Sequence, residues 1–191
     1  MDVLDKVRAA ALGYFGVDSA DSASVTFLGL EPIEILRIPG DEVVHYVTLG
    51  GSRNPMTDSA AALADPVRGP RAELVLTLRG GVGAGSGLTR ALGVLIAAPA
   101  VEGVVLQPDA LLDLGEPLWA NASFTAGLLG ESELPAVELP EPAEPVRFLT
   151  VTPITATEAA WVRIRGAAAL RDAWAEAKID VRDPDRGAAS L

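Results

Sequence analysis

The sequence has no cysteine and only one histidine, His45. The first absence removes disulfides, thiol nucleophiles and cysteine-ligated zinc, and the second leaves little from which to build a zinc site. Basic residues are in deficit, 15 Lys and Arg against 26 Asp and Glu, for a formal charge of −11. Binding to nucleic acid or an anionic membrane draws its affinity from Lys and Arg at phosphates, so this balance disfavours both partners. It permits a basic protein partner, which an acidic surface steers inward; the competing reading is solubility alone. No long apolar run is present. The longest, residues 91–98, falls far short of the roughly 20 residues that a membrane span requires. The first residues, MDVLDKVRAAALGYFG, also lack the apolar core of a signal peptide. The expected location is therefore cytoplasmic, and the sequon at Asn121-Ala122-Ser123 is a chance match, because glycosylation needs a secretory context.

What is present reads as a folded domain. Hydrophobic residues make up 49% and charged residues 21% of 191 positions, enough for one core and too apolar for disorder. Val3, Leu4, Val7, Ala11 and Tyr14 recur at helical spacing and stop near Gly16. Strand-like runs follow at residues 24–28, 33–38 and 43–49. Pro39-Gly40-Asp41 turns the last two into a hairpin. In residues 43–49 both faces carry apolar side chains, which implies a sheet covered on both sides. Further strands are expected at 72–78, 104–106, 124–129 and 146–151, with a helix at 88–98 ended by Pro99. The proline-rich, glutamate-rich stretch 131–145 reads as an extended surface connector. Thr155-Ala156-Thr157-Glu158 is a capping box, and the helix after it changes its apolar face at Gly166, predicting a break there. Residues 1–191 are expected to form a single domain, with a polar tail at 180–191 that frays.

Between the strands at 43–49 and 72–78 lies a long connector, residues 53–71, broken by Pro55, Pro66 and Pro70 and carrying Arg53, Asp58, Asp65, Arg68 and Arg71. Long ordered connectors between buried strands usually carry function. Asp58 and Asp65 are the best placed carboxylates for acid–base or metal chemistry, yet they lack the spacing of a calcium loop. Ion pairs with Arg68 and Arg71 that pin the loop are the competing reading. The glycine loop RGGVGAGSG at 79–87 has neither the G-x-G-x-x-G register nor a following Lys-Ser/Thr, so it reads as a flexible linker rather than a nucleotide site. His45 lies mid-strand with no G-x-S-x-G elbow anywhere in the chain, and reads as a strand histidine hydrogen-bonded beside the core. Trp161 and Trp174 occupy helical core positions. Trp119 follows Gly115-Glu116-Pro117-Leu118 in a loop, where it is either core or an interface anchor. No cofactor or metal set is found.

Several segments, in order along the chain, resemble the suppressor of fused domain in its bacterial form. They are Tyr46-Val47-Thr48-Leu49-Gly50 with Ser52, Pro55-Met56, and Arg71-Ala72-Glu73-Leu74-Val75-Leu76. Further on come Gly115-Glu116-Pro117-Leu118, residues 124–129, Leu134-Pro135 and Val146-Arg147-Phe148-Leu149. Pro153-Ile154-Thr155 with Glu158, residues 166–170, and Asp183-Pro184 with Arg186 complete the set. The resemblance implies an α/β fold of the α+β type, with a central mixed, largely antiparallel sheet flanked by helices. It also implies a non-enzymatic protein-binding domain. Animal members restrain zinc-finger transcription factors of Hedgehog signalling and carry a second, C-terminal domain with no counterpart in this sequence. Bacterial members look like immunity proteins that neutralise polymorphic toxins, or lone domains of unknown partner. Arg53, Asp58, Asp65, Arg68 and Trp119 are the expected partner-contact residues. The alternatives are a small-molecule hydrolase-like enzyme, with Asp58, Asp65, His45 and Arg68 meeting in a cleft, and a scaffold or oligomerisation module.

Overall fold

A computed structural model describes residues 1–191. The chain opens with helix α1 (Val3–Phe15), capped by the Asp2 carboxylate at its start and by left-handed Gly16 at its end. Three strands follow: β1 (Asp21–Val25), β2 (Ile33–Pro39) and β3 (Val43–Leu49). A single 3-10 turn at Gly51–Arg53 starts the connector, which leads to β4 (Arg71–Arg79). Helix α2 (Leu88–Glu102), β5 (Leu111–Asp113), β6 (Phe124–Glu131), β7 (Val146–Thr155), α3 (Ala156–Arg165) and α4 (Ala167–Glu176) complete the order. No helix is long and apolar enough to cross a membrane.

The strands form one sheet in the order β1-β2-β3-β4-β7-β6-β5. Every neighbouring pair is antiparallel except β4 and β7, which run parallel in the middle. The fold is thus the expected α+β type with a mixed, largely antiparallel sheet, and β4 is its central strand. Alternation along the strands sends Ile33, Ile35, Val44, Tyr46, Leu74, Leu76 and Leu78 to one face, where α2 covers them with Leu88, Leu92, Leu95 and Ile96. The opposite face is covered in two parts. α1 lays Val7 and Ala11 on Leu36, Val47 and Phe148, while α3 and α4 pack Ala159, Leu170 and Trp174 on Ala126, Leu128 and Ile154. Both faces of the central strands are buried, which explains their near-continuous apolar runs.

Several local expectations hold. β2 and β3 pair as a hairpin; the capping box at Thr155 and Glu158 is formed in both directions; and the helix breaks at Gly166, whose φ is +87°. Others need correction. The first strand lies at Asp21–Val25, shifted from 24–28, and leaves Phe27 to pack under α2. α2 runs past Pro99 to Glu102, because a proline in the last turn removes one N–H, and the Gly103 N–H still closes on the Pro99 carbonyl at 3.0 Å. Residues 104–106 form no strand. The glycine loop is anchored as well, since the Tyr46 hydroxyl accepts from the Val82 N–H at 3.0 Å.

The tail departs most from its expectation. Arg186 and Ala189 are buried. The Arg186 guanidinium spans both oxygens of Glu158 at 2.8 and 3.1 Å, donates to the Pro153 carbonyl at 2.8 Å, and lies over the rings of Phe124 and Trp174. The tail docks because it supplies the countercharge for a buried carboxylate, which polar composition alone cannot reveal.

Candidate functional site

The connector is held at its two ends and open in between. Its root is Gly50-Gly51-Ser52, the turn where β3 leaves the sheet. Gly50 has φ +153° and lies close over Ile33, where a Cβ would come within 3.2 Å of that residue's backbone, so the chain can turn here only as glycine. The turn wraps the fully buried Glu73 of β4. One carboxylate oxygen accepts from the Gly50 N–H at 2.8 Å, the Ser52 N–H at 2.9 Å and the Ser52 hydroxyl at 2.6 Å. The other is 2.6 Å from Thr48 Oγ1, which itself accepts from the Leu74 N–H. No cation lies within ion-pair distance of Glu73. Burial therefore pushes its carboxyl above the ordinary range, and the donors of Gly50, Ser52 and Thr48 offset only part of that. The Thr48 hydroxyl suits either form, donating to the carboxylate or accepting from the acid.

Arg71, two residues earlier on β4, completes the clamp. Its guanidinium is buried and donates to the carbonyls of Ser52 at 2.8 Å, Arg53 at 2.7 Å and Val67 at 3.2 Å. The incoming and outgoing limbs of the connector are thereby tied to one side chain. Ser52 is held from both sides, its N–H and hydroxyl by Glu73 and its carbonyl by Arg71. The expectation that ion pairs pin the loop is corrected: the cation is Arg71, and its partners are backbone carbonyls. Arg68 is exposed and makes no ion pair.

The remaining predicted contact residues lie as follows. Arg53 is half-buried; it donates to the Pro32 carbonyl at 2.7 Å and approaches Glu31 at 3.3 Å. Asp58 and Asp65 are exposed and organise local turns, Asp58 accepting from the Ala60 N–H and Asp65 from those of Val67 and Arg68. The N–H groups of Arg68 and Val67 hold the Asp65 carboxyl below its ordinary range. Trp119 is 7% exposed and packs against Phe124 in the core under α2, so it is no surface anchor; the Leu118 N–H, bonded to the Phe124 carbonyl at 2.9 Å, folds the loop inward. His45 bonds Thr77 at 2.8 Å, stacks on Phe15 of α1, and is held below its ordinary pKa by burial. That places His45 on the α1 face, whereas the connector runs past the C-terminal end of α2, where the Ser59 N–H meets the Gly103 carbonyl at 2.9 Å. The cleft joining His45 with Asp58, Asp65 and Arg68 does not form.

Beside the root a groove of about 430 Å³ opens between the β1–β2 loop, the connector and the last turns of α2. Ile33, Met56, Ile96, Ala97 and Pro99 make its apolar wall, and Glu31 and Arg53 stand at its edge. This is the size of a cleft that accepts a small ligand or a few side chains. The connector stands out in the sequence but the groove does not, because the groove needs α2 and the β1–β2 loop, distant in sequence. The clamp residues Thr48, Gly50, Ser52, Arg71 and Glu73 all fall inside the resembling segments, and for all but Arg71, which its charge also marked, that is the one signal that pointed to them.

The suppressor of fused protein (SUFU) family profile matches residues 29–187. No curated protein sequence matches the chain. Among solved structures, a SUFU homolog from Neisseria gonorrhoeae superposes with a TM-score of 0.69 at 19% identity, covering 98% of this chain and 96% of its own. The structure of the Sufu–Fu complex matches at a TM-score of 0.66 and 14% identity, covering 97% of this chain and 91% of the other. Drosophila Suppressor of Fused matches at 0.58 and 15% identity, covering 98% of this chain but 50% of the longer one. With the profile covering most of its length, the chain belongs to the suppressor of fused family.

Proposed function

We propose that this chain is a non-enzymatic protein-binding domain that presents the connector and its flanking groove to a protein partner. The observation that carries the reading is the construction of the connector: both limbs are fixed to β4 through Arg71, the root is fixed through Glu73, and residues 58–68 stand exposed between them. A preformed surface of this kind lowers the ordering cost of association. The polar groups buried beneath it are engaged in holding backbone, which favours binding over chemistry. The solved relative in a Sufu–Fu complex supports the same reading at the level of the fold.

The finer proposal is an immunity-type role in the cytoplasm: sequestering a basic toxin, with the −11 charge accelerating encounter. Co-expression with the product of a neighbouring toxin gene tests it. Restored growth, together with an association rate that drops steeply as salt rises, is the expected result. Persistent toxicity, with no complex between the two purified proteins, refutes the immunity role.

A further inference from the structure

We infer that the groove beside the connector root takes an apolar side chain carried on a basic polypeptide segment of the partner. The inference rests on the protein-binding reading above and names the site and chemistry of its occupant. The groove floor is apolar, through Ile33, Met56, Ile96 and Ala97. Its surroundings continue that character outward: Leu28, next to the lining residue Gly29, is 105% exposed, and Val101, next to the lining residue Ala100, is 69% exposed. Large apolar side chains projected into water on both sides of an apolar groove favour burial against a partner.

The charge around the mouth selects the kind of segment. α2 ends here, and the C-terminal end of a helix carries a partial negative charge that Lys or Arg in the last turn usually balances. α2 has no basic residue there and instead ends on Glu102. Asp58, brought alongside by the Ser59–Gly103 hydrogen bond, adds a second exposed carboxylate. Neither Asp58 nor Glu102 has a cation within ion-pair distance, whereas the Glu31 carboxylate is already matched by Arg53. Negative potential at the mouth is thus left uncompensated, and a Lys or Arg flanking the buried apolar side chain would complete it.

The test uses the full chain and fluorescein-labelled twelve-residue peptides in three forms: a central Leu or Phe flanked by Lys and Arg, the same peptide with Ala in place of the apolar residue, and the same with Glu in place of the basic residues. Fluorescence anisotropy should find binding by the first form and at least roughly tenfold weaker binding by the other two. Ala100→Trp, which fills the groove from an exposed position, should weaken the first form by about tenfold or more. The pair Asp58→Lys and Glu102→Lys should weaken it roughly fivefold at low salt, with the difference closing near 0.5 M salt. Ile164→Asp, on the exposed side of α3, should leave binding unchanged, and thermal melts establish that each variant is folded. Failure of the first form to bind the wild-type chain overturns the inference, as does equal binding by Ala100→Trp. In either case a protein partner that associates equally with the wild type and Ala100→Trp leaves the protein-binding reading standing, whereas the absence of any partner removes that reading too.

Discussion

Two glutamates are wholly buried in this molecule, and they are kept there by opposite means. Glu158, at the start of α3, faces the Arg186 guanidinium, with the Trp174 indole N–H at 2.9 Å and the Ala189 N–H at 3.1 Å. Glu73, on the central strand, is held by neutral donors from Gly50, Ser52 and Thr48 and by no cation. Burial pushes the Glu158 carboxyl up, but Arg186, Trp174 and Thr155 outweigh it and hold the group below its ordinary range. At Glu73 burial wins. The first arrangement closes a structural seam by binding the C-terminal tail to the sheet. The second shapes a turn: each donor belongs to the segment where the connector departs, so the carboxyl works as a template for backbone. The nearby cation, Arg71, is spent on carbonyls of the same connector. The molecule thus uses a countercharge to close a seam, and a polar nest to fix the root of a loop.

The largest effect should come from Glu158→Gln, which leaves the Arg186 guanidinium buried without its countercharge. Breaking a buried pair from one side costs about 3–5 kcal/mol, and denaturant unfolding at neutral pH should report a loss of that order. Truncation ahead of Arg186 should have a similar cost, because it strands Glu158 instead. Glu73→Gln should cost far less, about 1 kcal/mol, since the amide oxygen keeps the Gly50 and Ser52 donors and the amide N–H₂ can donate to Thr48. Equal losses from the two substitutions would erase the distinction between the sites.

The pH dependence sharpens the comparison because the two groups act with opposite sign. Glu158, with its folded pKa depressed, contributes stability that is present above the unfolded value and lost as pH falls through the folded one. Glu73, with its folded pKa raised, contributes stability that is fully present below the unfolded value and lost as pH rises through the folded one. Unfolding free energies measured across the acidic range should therefore show a shallower loss on the alkaline side in Glu73→Gln than in the wild type. In Glu158→Gln the acid-side loss should be the one reduced. Identical slopes in all three proteins would contradict the assignment.

Much of the scaffold was legible in the sequence where the governing interaction is local. The α1 periodicity, the Pro39-Gly40-Asp41 hairpin, the Thr155–Glu158 capping box and the break at Gly166 each depend on residues a few positions apart. What was not legible depends on partners far along the chain. Glu158 was read as a helix cap, while its countercharge lies 28 residues away in a segment whose composition resembles a loose end. The connector drew attention through its charges, Asp58, Asp65 and Arg68, which remain at the surface. The residues that hold it are Glu73 and Arg71: Arg71 stood out in the sequence only as a candidate for ion pairing within the connector, and Glu73 only as a position of the following strand. Trp119 lies in a loop by sequence, yet that loop turns its ring into the core. The family resemblance included the clamp and tail residues because it reflects the fold as a whole, although it assigned them no role.

Amide hydrogen exchange on the unmodified chain tests most directly the claim that the connector is fixed at its root and open in the middle. The Gly50 and Ser52 amides donate to a fully buried carboxyl, while the amides of residues 62–64 have no protein acceptor. Gly50 and Ser52 should exchange only through opening of the β3–β4 core, with protection matching Leu74, while residues 62–64 should exchange at close to unfolded rates. Exchange of Gly50 and Ser52 as fast as residues 62–64 would contradict it.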